Sequence, residues 1–584
     1  MSILASLAKA YERLPEKPSF GFSSEKIGFL ISLNPDGSVA NVTDLRTGIG
    51  NKKTAPLMQV PQAVKRTVGI ASNFLWDKTS YVLGVTAGEG KRVADEHAAF
   101  VKRHLEALAG EEDEGLKALS LFLTHWKPEH FIATLWPDDM RDQNVVFALE
   151  TERLKNIRIH DRPSAKNLWA KLSSEGDKSF AACLVSGENA PVSRLHPSIK
   201  GVWGGQPSGA SIVSFNLDAF TSYGHEQGEN APVSEAAVFA YTTALNRFLE
   251  KDSKNRVQLG DASTVFWADA SDASDAEAAD EAESFFARWF SDIDESIEDK
   301  KVAALLAKMR SGLPIKDFAP GLADGVRFYV LGLAPNAARI SIRFYFESDF
   351  GTLAENYQRF VKEMQIEPEP REGFPPFWKY LAETAVLGKR ENVPPKLAGD
   401  WMRAILTGRP YPLTLMSSVQ MRIRADKDIN ALRIAMLKSV LIRNYKMEVP
   451  VALDTENRNK GYLLGRLFAA YEQAQRAALG DKVNATIKDK FYGTASAQPR
   501  RVFALLDKGS INHLSKLGKA KPGYRVVIER EIADIMGIMQ PGEDPFPASM
   551  SSEEQALFGV GYYHQRNHFF KPKSDETSAT KDTK

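Results

Sequence analysis

Cysteine is almost absent, Cys183 being the only one among 584 residues. A single thiol excludes an intrachain disulfide and a cysteine-rich zinc site, and it suits a reducing compartment. Net charge is missing too, since 75 basic residues face 74 acidic ones and leave +1. No overall field draws the molecule to a polyanion, so any nucleic-acid surface has to be local. Long apolar runs are also lacking. No window approaches the roughly 18 uninterrupted apolar residues of a membrane-spanning helix. Residues 1–14 lack the basic start and apolar stretch of a signal peptide. The expectation is a cytoplasmic protein with no membrane partner.

Signatures of catalysis are equally scarce. Gly90-Lys91 has Val85 where a phosphate-binding loop needs glycine, and Arg92 where it needs a hydroxyl. Ser208 lies beside Gly209, but Gln206 stands where a nucleophile elbow needs glycine. Ten histidines form neither a His-Glu-x-x-His motif nor a paired-carboxylate metal signature. His196, before Pro197, reads as a turn or hydrogen-bonding residue. His513 and His564, among lysines, arginines and tyrosines, suit either a phosphate contact or plain exposure. No cofactor and no metal are expected.

What is present is the composition of a globular chain, 43% hydrophobic and 26% charged. Its length suits about three or four domains. Ile3, Leu7, Ala8, Tyr11 and Leu14 recur at spacings of three and four, which predicts a short packing helix. Residues 27–33 alternate into the turn Asn34-Pro35-Asp36-Gly37, and 81–85 form a second strand-like run. Residues 94–126 predict two helices about a loop at Gly110. Runs at 144–149 and 181–186 suit buried strands. Residues 201–230 are too rich in glycine and serine for helix. Ser234 begins a predicted helix to residue 249. A strand at 265–268 leads into 269–279, small and acidic without apolar period, which reads as a linker. Helix follows at 284–309, then two strands about Ala334-Pro335-Asn336. Helical spacing dominates after residue 376, in 378–387, 397–406, 429–445, 462–479 and 498–517. The fold class is therefore α+β: a mixed α/β region over 1–268, an acidic linker with a second α/β unit over 269–375, and an all-α bundle over 376–572. Residues 573–584 read as a frayed tail.

Charge is uneven along the chain. Residues 482–530 hold 11 basic residues against Asp489, Asp507 and Glu529, interleaved with Phe491, Tyr492, Phe503 and Tyr524. Residues 402–447 are similar, with Arg403, Arg409, Arg422, Arg424, Arg433, Lys438, Arg443 and Lys446. For a single lysine a solvated helix face is the better reading. The clusters together favour phosphate binding, indifferent to sequence and weakened by salt. Reading bases needs paired donors and acceptors at base edges. Lys200, Gln206 and Ser208 on the glycine loop, and Asn73, are candidates, each equally readable as a turn residue satisfying its own backbone.

Longer strings carry a resemblance. Residues 184–194 (LVSGENAPVSR), 195–214 (LHPSIKGVWGGQPSGASIVS), 215–244, 260–267 (GDASTVFW), 331–346 (LGLAPNAARISIRFYF), 402–412 (MRAILTGRPYP) and 462–496 resemble the large subunit of the type I-C CRISPR Cascade surveillance complex, and the likeness runs nearly end to end. The resemblance implies a non-enzymatic subunit near the 5′ end of the CRISPR RNA. It would recognise the motif adjacent to the protospacer (the PAM) in duplex DNA and help open the helix, leaving base pairing with the guide to read the target. Implied partners are the CRISPR RNA, target double-stranded DNA, the Cascade backbone, RNA-processing and small subunits, and a helicase-nuclease recruited after R-loop formation. A separate small subunit from an internal start near Met416, Met421, Met436 or Met447 would fit. On this resemblance Asn73, Lys200, Gln206, Ser208 and Gln227 are assigned to the adjacent motif. Pro207, where a small polar residue is expected, stiffens the loop at Gln206. Arg422, Arg424, Lys488, Lys490, Arg500, Arg501 and Lys516 are assigned to strand phosphates. Trp76 and Trp203 stand out and could equally be packing residues. Two rival readings are a metal-dependent nuclease with dispersed carboxylates and a purely structural assembly subunit.

Overall fold

The computed structural model describes residues 2–570 apart from 16, 19, 49–52, 65, 67–68, 132–134, 175–178, 260–261, 272–276, 291–299, 371–373, 481–483 and 540–543. The predicted tail at 573–584, much of the acidic stretch 269–299 and Lys482 lie outside the described residues. The chain divides into two compact units, residues 1–200 with 208–247, and 201–207 with 248–584.

The first unit is built on a four-stranded mixed sheet in the order Val39–Asp44, Phe29–Leu33, Asn144–Leu149, Trp76–Lys78. Phe29–Leu33 runs parallel to Asn144–Leu149 and antiparallel to Val39–Asp44. Both central strands are buried on two faces, which is why FLISL and VVFAL read as continuous apolar runs. At the predicted turn the Gly37 N–H donates to the Asn34 carbonyl at 2.9 Å. The two expected helices are Val93–Ala107 and Glu114–His125. Asp113 starts the second by accepting from the N–H groups of Gly115 and Leu116. Phe100, Leu116, Leu119, Phe122 and Phe147 form the core between helices and sheet. The N-terminal helix Ile3–Tyr11 buries Leu7 and sets Tyr11 edge-on to Phe239 of the helix Glu235–Phe248, which Ser234 caps.

Two expectations for this unit fail. Residues 81–85 are not a strand. Strand Trp76–Lys78 ends there and Thr79–Val82 turns into helix, with the Thr79 N–H on the Gln143 carbonyl and the Leu83 N–H on Thr79. A short β-branched and aromatic run fits either state, and tertiary contacts decided it. Residues 181–186 give only the small strand Phe180–Ala182, paired with Asn189–Pro191, and Phe180 is 63% exposed. Apart from the buried Cys183, the run is apolar without being buried.

The second unit carries an antiparallel sheet in the order Arg339–Asp349, Arg327–Asn336, Ala262–Asp269, Arg256–Leu259. The hairpin turns at Ala337, two residues later than expected, so Pro335 lies inside a strand. Helices Ala278–Phe290 and Phe350–Met364 cover the sheet, with Trp289 stacked on Tyr357 at 4.4 Å. The reading of 269–279 as linker is corrected at its end. Ala278 and Ala279 begin a buried helix, and Glu283 inside it accepts from the Ala268 N–H and the Asn255 amide. The first turns of this helix bury only alanines and Glu283, and its large apolar residues Phe285, Phe286, Trp289 and Phe290 begin later, so its start gives little apolar signal.

Helices then follow one another: Phe377–Ala382, Pro395–Thr407, Leu413–Asp426, Ala431–Tyr445, Lys460–Leu479, Ile487–Ala497, Phe503–Ala520, Pro522–Ile538 and Ser552–His568. Lys460–Leu479 and Ser552–His568 touch backbone to backbone. A Cβ at Gly465 would stand 2.1 Å from the Phe558 carbonyl oxygen, and one at Gly561 2.1 Å from that of Tyr462. The fold class is α+β, mixed sheets first and helices after. Among the described residues no helix is long and apolar enough to cross a membrane.

Candidate nucleic-acid interface

Asn73 is 4% exposed. Its side-chain oxygen accepts the Val64 N–H at 2.9 Å, and its own N–H donates to Asp77 at 2.8 Å. Asp77, also buried, pairs with Arg66, whose guanidinium lies 4.0 Å over the Tyr81 ring. Asn73 therefore fixes the segment at residue 64 from inside the fold. Trp76 is buried as well, its indole N–H donating to the Pro61 carbonyl at 2.8 Å, so it is a packing residue.

The glycine loop is held at its ends and shows its middle. In the first unit an isolated bridge joins Ile199 to Ala210, and the Lys200 N–H donates to the Asn246 side chain at 2.7 Å. Lys200 Nζ stands 3.3 Å from Glu25, and Ser208 is exposed. Gln227 is half-buried at φ +47, accepting from Arg194 Nε at 3.1 Å. In the second unit Gln206 is exposed, and Trp203 is 63% exposed with its backbone N–H fixed on Ser263 Oγ at 2.8 Å. Gly201 is required there, since φ is +85 and a Cβ would meet the Leu249 carbonyl oxygen at 2.6 Å.

The basic stretch at 402–447 splits into two kinds of residue. Arg433, Lys438 and Arg443 point inward. Arg443 Nε lies 2.8 Å from Glu363, which also accepts the Tyr411 hydroxyl at 2.8 Å, and Lys438 Nζ reaches the Glu363 carbonyl at 3.2 Å. Burial pushes the Lys438 ammonium down to about 8. Arg422 is buried and paired with Asp426, which Arg433 also contacts at 2.6 Å. These side chains tie helices together. Counting them toward a polyanion surface is corrected by their burial. Arg424 stays exposed beside the Gln555 amide, against the helix that carries Lys488 and Lys490.

Residues 484–530 behave differently. Lys490, Arg501 and Lys516 are exposed and form no ion pair among the described residues, as do Lys508 and Lys519 on the same helix as Lys516. Arg500 is exposed but engaged, by Asp544 and by the Phe546 carbonyl at 3.3 Å. Lys488 is half-buried beside Asp489, whose carboxyl is lowered chiefly by its hydrogen bonds at Thr486. His513 is lowered by burial and by Lys516. His564 lies inside the bundle, its Nδ1 2.9 Å from the Tyr462 hydroxyl, and burial drops it to about 4. It is neither a phosphate contact nor a surface residue. His196 bonds to the Tyr241 hydroxyl at 2.5 Å, in keeping with its reading as a hydrogen-bonding histidine.

One feature escaped sequence reasoning. An open cleft of about 600 Å³ in the first unit is lined by Arg66, Lys78, Lys91, Arg92, Glu96 and Asp142, among others. A neighbouring cleft of about 340 Å³ shares Lys78 and Asp142 and adds Lys26 and Lys53. These cations come from five separate segments, so no local cluster announces them. Lys91-Arg92 was the visible trace, noticed only as a failed phosphate-loop motif. Among the described residues no three His, Cys, Asp or Glu side chains gather as a metal site would need.

No curated protein matches the chain. Residues 7–570 match the family described as CRISPR-associated protein (Cas_Csd1), a span that takes in nearly all of both units. The chain thus belongs to the Csd1 family of CRISPR-associated proteins.

Proposed function

We propose that this chain is the non-catalytic large subunit of a type I-C Cascade complex, a cytoplasmic ribonucleoprotein that recognises the motif adjacent to the protospacer in duplex DNA and promotes R-loop formation. Family membership supports the CRISPR setting. The observation that carries nucleic-acid binding is the row of exposed cations Lys508, Lys516 and Lys519 on helix Phe503–Ala520, with Lys490 and Arg501 on the elements just before it, none of them in an ion pair among the described residues. A protein with no net field forms no ion pair at these five among the described residues while it buries and pairs Arg422, Arg433 and Arg443. Lys508, Lys516 and Lys519 are separated by about 12 and 4.5 Å of rise along their helix, and cations spread over that length suit a phosphate backbone and give affinity without sequence preference.

Base discrimination in this reading belongs to Gln206 of the second unit and, separately, to Lys200 and Ser208 of the first, while Asn73 and Gln227 position neighbouring backbone. The CRISPR RNA, the other Cascade subunits and a recruited helicase-nuclease complete the assembly.

The test is a Lys508→Ala/Lys516→Ala/Lys519→Ala variant in the assembled complex. Its log-affinity for target DNA should depend less steeply on log salt, by about 0.7 to 0.9 per lost phosphate contact. An unchanged slope would return these lysines to solvent. Incubating the purified chain with DNA and magnesium tests the other half of the proposal, and strand cleavage would overturn it.

A further inference from the structure

The two adjoining clefts of the first unit form one open groove, because both are lined by Lys78 and Asp142. Six cations face it. Three are engaged sideways, Lys53 with Asp44 at 2.7 Å, Lys91 with Glu89 at 3.1 Å, and Arg66 with Asp77. Lys26 and Lys78 have no carboxylate partner among the described residues, and Arg92 donates to the Gly69 carbonyl at 3.2 Å. Of the two carboxylates in the lining, Asp142 is taken up by the Thr86 hydroxyl at 2.6 Å and the Ala87 N–H at 3.2 Å. The other is Glu96.

We infer that this groove seats the sugar-phosphate backbone of double-helical DNA, through Lys26, Lys78 and Arg92. The inference rests on the nucleic-acid reading above and adds to it a backbone contact surface on the first unit, beside the roles given there to Lys200 and Ser208. Its chemistry favours backbone over bases. The one aromatic ring in the lining, Tyr81, is buried and its face is covered by Arg66 at 4.0 Å. A single-strand site stacks bases on open rings, and this groove offers none among its lining residues. Lys and Arg without a base-reading partner position a duplex and carry no sequence information. The groove is also open on one side, which suits a helix lying across it better than a small phosphorylated ligand that would be enclosed.

The experiment uses the full chain and fluorescence anisotropy with three labelled probes of equal length and unrelated sequence: duplex DNA, single-stranded DNA and duplex RNA. Lys26→Ala/Lys78→Ala should lower the salt slope for duplex DNA by about 1.8, two contacts at about 0.9 each. Single-stranded affinity should stay within twofold, and Lys26→Arg/Lys78→Arg should restore the slope. Both lysines are exposed, and an unchanged unfolding midpoint shows that the variant is folded. An unaltered duplex slope overturns the inference, as does an equal loss on single strands. A larger loss on duplex RNA than on duplex DNA also overturns it, since the backbone would then be the wrong one. Lys508→Ala/Lys516→Ala/Lys519→Ala runs beside it. If that variant weakens binding while Lys26→Ala/Lys78→Ala does not, the groove alone falls. If the parent chain and the assembled complex bind none of the probes, the proposed function falls with it.

Discussion

His104 accepts the backbone N–H of Leu75 on its Nε2 at 2.8 Å, deep in the first unit. Its Nδ1 lies 2.7 Å from the Phe100 carbonyl, which assigns the ring proton to that side and makes the imidazole neutral. Leu75 sits at φ +62, in the stretch that runs from Asn73 to Asp77. The ring thus pins a left-handed backbone that the adjoining residues depend on.

Burial lowers His104 to about 3, and His160 and His564 to about 4. In the unfolded chain each takes up a proton near pH 6.5, while the folded protein resists until near 3 or 4. The unfolded state therefore binds more protons in that window, and stability falls as pH drops from 6.5. The slope is about 1.4 kcal/mol per pH unit per histidine. Denaturant midpoints measured from pH 7 to pH 4.5 should decline steadily. Replacing His104 by glutamine, which carries no charge to gain, should flatten the part of the decline that follows the first unit. A pH-independent midpoint would mean that the three rings are not held neutral.

Glu363 and Arg443 set a second expectation. Both are buried, and Glu363 also holds the Tyr411 hydroxyl and lies beside Arg359 Nε at 3.0 Å. Removing the carboxylate leaves a buried guanidinium uncompensated, which costs about 3–5 kcal/mol. Glu363→Leu should destabilise the second unit by that amount and lower its unfolding midpoint. Glu363→Leu/Arg443→Met should recover much of it, because an apolar pair of similar size needs no desolvation. Equal midpoints for the single and double variants would show that the loss does not come from an uncompensated guanidinium.

Two glycines of the second unit separate backbone approach from backbone freedom. Gly465→Ala drives a methyl into the Phe558 carbonyl and should cost roughly 1–3 kcal/mol by overpacking. Gly509, inside helix Phe503–Ala520, has nothing within 4 Å of an added Cβ. Gly509→Ala should therefore stabilise by about 1 kcal/mol. Chemical denaturation of both variants checks the opposite signs.

The sequence showed elements whose burial follows a period. FLISL and VVFAL announced the central strands, and Leu, Ile and Val at helical spacing announced the C-terminal helices. It misled where burial and hydrophobicity part company. Phe180 and Leu184 are apolar and exposed, while Ala278, Ala279 and Glu283 are small or charged and buried. The same division runs through the site. Arg433 and Arg443 look like Lys508 and Lys516 in a charge count, and only the placement of Glu363, Glu383 and Asp426 makes them internal. Lys26, at the end of strand Phe22–Lys26, and Arg92, just before helix Val93–Ala107, line two clefts that share Lys78, a convergence that spacing along the chain does not encode.

Asn73 and Gln206 were paired by resemblance, and their environments differ. Asn73→Ala removes the acceptor of the Val64 N–H in a buried setting, which costs about 1–3 kcal/mol. Any loss of DNA recognition in that variant should come with a lower unfolding midpoint. Gln206 is exposed, so Gln206→Ala should leave the midpoint within about 0.5 kcal/mol. Recognition in this case should fail by discrimination alone: affinity for duplexes with and without the correct adjacent motif should converge, while the salt slope stays fixed, because a base contact adds sequence preference without releasing counterions. Competition binding with the assembled complex, run at two salt concentrations, reads both quantities. If Gln206→Ala lowers affinity equally for every duplex and flattens the slope, the side chain contacts phosphate and the base-reading role passes to another residue of the loop.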